Sequence, residues 1–153
     1  TPLSDTTCNM IEERPIVVSI MRAGNGMVDA ILSMLPFASA GHIGIYRDKF
    51  INNTVEYYFR LPKKVENRTI LLADPMVATG DTAVAAISRL KQCGVGKIKL
   101  ITILISDNGM KKLLDHHPDI EIYTVGVEKE MTEEGLMVPG IGDAGSRLYG
   151  SDD

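Results

Sequence analysis

TILLADPMVATGDTAVAAI, residues 69–87, decides how the chain folds. Its first part, Thr69–Ala73, is apolar at nearly every position, which is how a strand covered on both faces reads. An acidic residue, Asp74, follows, then a short loop of small and hydroxyl residues, then a helix beginning near Thr82. Within that helix Ala83, Ile87 and Leu90 fall three or four apart, an apolar stripe able to lie on a sheet. Working outward, Ile16–Ile20 (IVVSI) and Ile98–Ile105 (IKLITILI) share the unbroken apolar character, and His42–Tyr46 and Ile120–Val127 complete five expected strands. Helical segments Gly26–Leu35, Thr82–Cys93 and Asn108–His117 lie between them and end at Pro36, Gly94 and Pro118. This alternation predicts an α/β fold, a central mainly parallel sheet flanked by helices, with right-handed crossovers.

Two stretches depart from the rhythm. Asp48–Lys63 carries Asn52-Asn53 between two β-prone runs and reads as an antiparallel hairpin arm. Thr132–Asp153 is rich in glycine yet holds Leu136, Met137, Val138, Ile141, Leu148 and Tyr149, so an ordered loop with little regular structure is expected.

Composition narrows the function. At 153 residues, 44% hydrophobic and 24% charged, the chain has the makeup of one folded domain spanning residues 1–153. Its 16 basic and 20 acidic residues give a formal charge of -4, so no bulk attraction to nucleic acid or an anionic membrane is expected. Any phosphate binding must be local. Cys8 and Cys93 lie far apart without metal-ligand spacing, which makes a reduced, cytoplasmic setting the expectation. No apolar run reaches the roughly 18 residues of a membrane span, and TPLSDTTCNM lacks the pattern of a signal peptide.

Three strings carry chemistry. In ADPMVATGDT the strand end puts Asp74 at the sheet's C-terminal edge, while loop amides and a helix N-terminus converge on a point suited to an anion. Ala78 and Gly80 let backbone approach a phosphate, and the Thr79 and Thr82 hydroxyls can donate to it. The alternative is that Thr79, Asp81 or Thr82 merely caps the helix. In RAGNG, residues 22–26, the Arg22 guanidinium stands beside Gly24 and Gly26, suited to a second anion or else to a tight turn with a surface ion pair. Two such turns on one sheet edge would face the crevice where these folds bind ligands. In GLMVPGIGDAGSRLYG, residues 135–150, Gly140, Gly142 and Gly145 leave backbone groups open to read a small planar ring, and Asp143 adds a charge. His116-His117 reads as a helix end, Cys93 as a packed residue and the eight methionines as core filling.

Together these strings resemble a known family. ADPMVATGDT is similar to the phosphoribosyl-diphosphate (PRPP) motif of type I phosphoribosyltransferases, and with VPGIGDAGSRLYG, MRAGNGM and GIYR the chain resembles the uracil phosphoribosyltransferase family from about Pro15 to Gly150. The resemblance implies a type I phosphoribosyltransferase-like domain with the hairpin as a mobile arm and a C-terminal base-binding loop. It also implies transfer of the 5-phosphoribosyl group from PRPP to uracil, giving UMP and diphosphate. Mg2+ would be the cofactor, carried on PRPP without direct protein ligands. Under it Asp74 binds the ribose hydroxyls, and PRPP lies along Asp74, Pro75, Met76, Val77, Ala78, Thr79, Gly80, Asp81 and Thr82, with Ala78 to Thr82 on the 5'-phosphate. Arg22 and Arg47 contact the diphosphate. Met137, Gly142 and Ala144 read uracil through the backbone, and Asp143 sits against uracil and PRPP or its magnesium shell. Catalysis would rest on Arg22, Arg47, Asp74 and Asp143.

Asp81 stands where the family usually places a second small residue, so its carboxylate is expected to weaken phosphate binding unless it turns outward or caps the helix. Orotate and hypoxanthine enzymes typically put two adjacent acids where this chain has Asp74-Pro75, which favours uracil. The family's usual N-terminal extension, upstream of the segment matching Pro15, is not expected in this chain. Expected partners are the two small-molecule substrates and a second copy, as a homodimer or higher homo-oligomer, with no nucleic acid and no membrane. The alternative is a non-catalytic regulator that senses PRPP or a nucleotide on the same fold.

Overall fold

A computed structural model describes residues 1–9, 12–48, 50–51 and 53–151. One sheet is built from β1 (Ile16–Met21), β2 (Ser39–Asp48), β3 (Asn53–Arg60), β4 (Ile70–Ala73), β5 (Met76–Val77), β6 (Ile98–Ser106) and β7 (Glu121–Glu128). Its strands lie in the order β3-β2-β1-β4-β6, with β5 and β7 also pairing β6, and every pairing is parallel except β2 with β3. Three helices, α1 (Asn25–Met34), α2 (Asp81–Gln92) and α3 (Asp107–His116), follow β1, β5 and β6.

Alternation along the buried strands assigns the faces. Ile16, Val18 and Ile20 of β1 join Ile43, Ile70, Leu72 and Leu100 in a core that also takes Ile87 and Leu90 from α2 and Leu113 from α3. Val17 points the other way, and with Ala73 it meets Val28 of α1. Both faces are covered, which is why IVVSI reads as continuously apolar.

β4 and β5 are one strand interrupted at Asp74-Pro75. Ala73 pairs with Ile101 and Met76 with Leu104, so the register is unchanged across the break. Proline has no N–H to give the ladder; instead its carbonyl accepts from the amides of Ile103 (3.0 Å) and Leu104 (3.1 Å). The interruption falls where Asp74 leaves the sheet.

Several expected boundaries shift. The helices begin and end within about two residues of their expected limits. The hairpin's first arm is the distal half of β2 rather than the run after Asp48, because the Asp48 carboxylate accepts from the Phe50 (2.8 Å) and Ile51 (3.2 Å) amides and turns the chain there. Asn52, expected in that turn, lies outside the described residues. The C-terminal stretch has more regular structure than expected: β8 (Glu130–Met131) pairs antiparallel with β9 (Met137–Val138), and α4 spans Ala144–Tyr149. A Thr132–Leu136 backbone bond (2.8 Å) closes the first, and the Asp143 side chain, accepting from the Ser146 amide (2.8 Å), caps the second.

Ile87 is fully buried between α2 and the sheet. Ile87→Ala should lower the unfolding free energy by about 2–5 kcal/mol, measured by urea denaturation.

Candidate active site

A cavity of about 310 Å³ opens where β1, β5 and their following loops end. Of the residues expected in a site, Arg22, Asp74, Met76, Val77, Ala78, Thr79, Gly80, Thr82, Asp143 and Ala144 line it. Ile20, Ala23, Ile45 and Gly145 line it too. Arg47, Pro75, Asp81, Met137 and Gly142 do not. Arg47 and Asp81 instead border a second hollow of about 220 Å³ between the hairpin and α2, with Asn53 and Thr54.

The 78–82 loop settles the capping question. The N-cap of α2 is Gly80, and among the described residues no side chain bonds the helix's first amides. Gly80 has φ +80°, a conformation that disfavours any side chain. From below, Ser106 donates to the Ala78 carbonyl (2.5 Å) and accepts from the Gly109 amide (2.8 Å), so the first turn of α3 is docked under the loop. A Cβ on Gly109 would lie 2.4 Å from the Ala78 oxygen, a contact that only glycine avoids. The uncapped amides and the positive end of the helix dipole therefore face the cavity.

The Arg22 loop is equally tight. The Gly24 amide donates to the Ile20 carbonyl (2.9 Å), and a Cβ there would lie 2.4 Å from the Ala73 oxygen. The Met21-Arg22 peptide is cis, and Arg22 reaches the Gly150 carbonyl at 3.4 Å. Behind the loop sits a polar trio that sequence reading missed. The buried Ser19 hydroxyl donates to Asn25 Oδ1 (2.8 Å) and lies 2.7 Å from His42 Nδ1, tying β1, β2 and the start of α1 together.

The two cavity carboxylates differ in environment. Burial pushes Asp74 up to about 7, against a weak opposing bond from the Met76 amide at 3.4 Å. Asp143 is held below the usual carboxylate range chiefly by the Ser146 hydroxyl, which donates to its Oδ2 at 2.5 Å. Asp81 turns away from the cavity. Its Oδ1 accepts from Lys112 Nζ (2.7 Å), and its Oδ2 takes the Thr79 hydroxyl (2.9 Å) and the Arg47 guanidinium. These partners hold its pKa low even though burial pulls it up.

The C-terminal loop closes over one side. Met137 is buried, the Val138-Pro139 peptide is cis, and Gly140 (φ +46°) has no room for a Cβ beside the Met137 carbonyl. Arg147 Nε donates to the Ile141 carbonyl, holding the 141–147 turn.

The fold is that of the type I phosphoribosyltransferases: an adenine phosphoribosyltransferase of Trypanosoma brucei superposes over 83% of this chain and 62% of its own with a TM-score of 0.62, at 16% identity. A solved protein of Aquifex aeolicus superposes more closely, with a TM-score of 0.90 at 30% identity over 98% of this chain and 72% of that one. The uracil phosphoribosyltransferase family description matches residues 1–151. Uracil phosphoribosyltransferases of Clostridium kluyveri and Rhodococcus jostii are 45% and 47% identical over 99% of this chain, which spans 73% of each relative. The chain belongs to the uracil phosphoribosyltransferase family.

The raised Asp74 pKa gives a pH dependence. Between its unfolded value near 3.8 and about 7 the folded state binds more protons than the unfolded one, so Asp74's contribution to stability falls as pH rises through that window. Asp74→Asn should therefore unfold at a higher temperature than the parent at pH 8, with the gap narrowing toward pH 4, as followed by calorimetry of ligand-free protein.

Proposed function

We propose that the chain transfers the 5-phosphoribosyl group of PRPP to uracil, giving UMP and diphosphate. The observation that carries this reading is an uncapped helix N-terminus and an arginine loop opening into one cavity, with carboxylates between them, in a chain of this family. The 5'-phosphate lies on the 78–82 loop, received by its amides and by the Thr79 and Thr82 hydroxyls. Asp74 accepts from the ribose hydroxyls, and their approach stabilises its charged form. Arg22 takes the diphosphate, and Arg47 reaches it from the hairpin. Ala144 at the cavity wall, with Met137 and Gly142 in the adjoining loop outside it, would offer backbone groups to the uracil edge, and Asp143 orients base and PRPP.

The anomeric C–O bond to diphosphate breaks as uracil N1 forms the new bond to that carbon and gives up its proton. Negative charge gathers on the diphosphate, where Arg22 stabilises it, while the electron-poor ribose carbon is shielded from water by the closing loops. The fit to magnesium is of a particular kind. Asp74 and Asp143 are hard oxygen donors, yet among the described residues no group of three or more metal-binding side chains assembles. Magnesium carried on the diphosphate would supply charge neutralisation to the leaving group.

We read residues 1–153 as one phosphoribosyltransferase domain acting in the cytoplasm. The free thiols of Cys8 and Cys93 accord with that setting, and no helix is long and apolar enough to cross a membrane among the described residues. A homodimer or higher homo-oligomer belongs to the reading, supported by the exposed Ile103, Tyr123, Val125 and Val127 on β6 and β7.

The test is diphosphate release from PRPP and Mg2+ with uracil, against cytosine, orotate and hypoxanthine. Release with uracil alone is expected; PRPP binding without release would indicate a sensor instead. Asp143→Asn should lose about a hundredfold in rate with the fold intact by circular dichroism, and near-normal turnover would remove Asp143 from the site.

A further inference from the structure

The 78–82 loop carries a charge that works against its ligand. Asp81 is the first residue of α2, next to the amides that would receive a 5'-phosphate dianion, and like charges at that range repel. Yet both of its oxygens are engaged on the far side of the loop, Oδ1 by Lys112 at 2.7 Å and Oδ2 by Thr79 at 2.9 Å and by Arg47. The two cations differ in what anchors them. Arg47 stands on β2, in the hairpin arm from which, on the proposed reading, it reaches the diphosphate. Lys112 stands on α3, one turn beyond Gly109, and that helix is fixed under the loop by the Ser106 bonds and by the backbone contact of Gly109 with Ala78.

We infer that Lys112 is a positioning residue for PRPP: it holds the Asp81 carboxylate neutralised and outside the phosphate cradle, leaving Arg47 and the Thr79 hydroxyl able to turn to the substrate. This rests on the reading that the 5'-phosphate occupies residues 78–82. When Arg47 and Thr79 leave, Asp81 keeps its Lys112 partner and does not face the phosphate as a bare charge. Lys112 touches neither substrate; its effect runs through Asp81.

The test compares the parent with three variants for diphosphate release at saturating uracil and low salt, each checked by thermal unfolding. Lys112→Met should raise the KM for PRPP about tenfold with kcat within about twofold, the increase shrinking as salt screens the repulsion. Lys112→Arg, which keeps the charge, should stay within about twofold of the parent KM. In Asp81→Gly/Lys112→Met most of the loss should be recovered, since no carboxylate remains to be held. An unchanged KM in Lys112→Met would overturn the inference, as would a double variant no better than Lys112→Met, which would mean that Lys112 acts on the ligand directly. A parent chain that turns over uracil while these variants behave so refutes the role of Lys112 alone; a parent that releases no diphosphate refutes the underlying reading.

Discussion

Everything at the cavity end of this molecule depends on leaving one helix start unsatisfied. Among the described residues no side chain caps the first amides of α2, and the turn that presents them takes a left-handed glycine at Gly80. A helix end without partners is costly unless water or a ligand meets it. The surrounding structure keeps it open by removing side chains wherever they would intrude: Gly109 lies against the Ala78 backbone, and Gly24 against Ala73 and Ile20.

The sheet supplies the alignment. β1 and β4 lie side by side in parallel, so the loops that follow them emerge at the same edge and are held by strands buried on both faces. The interruption at Asp74-Pro75 is what releases a carboxylate from an otherwise apolar strand without disturbing the register against β6. Burial then raises its proton affinity, while Asp143, fixed by Ser146 at the rim, stays ionised. The two cavity acids are thus shifted in opposite directions, because one is desolvated and the other is well supplied with donors.

Much of this was legible in the sequence, and the reasons differ by element. The buried strands and the three longer helices announce themselves through apolar runs and a local 3.6-residue period. Arg22, Asp74 and the ATGDT loop stand at the strand ends where ligand sites form in such sheets, so their gathering at one cavity follows from topology. The hairpin's first arm was misplaced because β2 runs without a break through Tyr46 and Arg47, and only the Asp48 side-chain turn marks its end. β8, β9 and α4 are too short to show a period and exist through particular bonds such as Thr132 to Leu136. The Ser19–His42–Asn25 trio and the Lys112–Asp81 pair were hidden for another reason. Their members come from separate elements, and nothing local to Ser19 or Lys112 distinguishes them from ordinary strand and helix residues.

The ion pair between α2 and α3 also has a bearing on how such a chain can be recombined. Asp81 and Lys112 are 31 residues apart and belong to successive strand–helix units, with all of β6 between them. A splice anywhere in that interval joins a loop from one parent to a helix from another and separates the two charges. Offspring whose second parent also supplies Ser106 and Gly109 would keep the scaffold, since those residues meet the Ala78 backbone, but Asp81 would lose Lys112 and be left with Arg47 and Thr79. The two residues therefore form a single unit of inheritance, wider than the 78–82 loop itself.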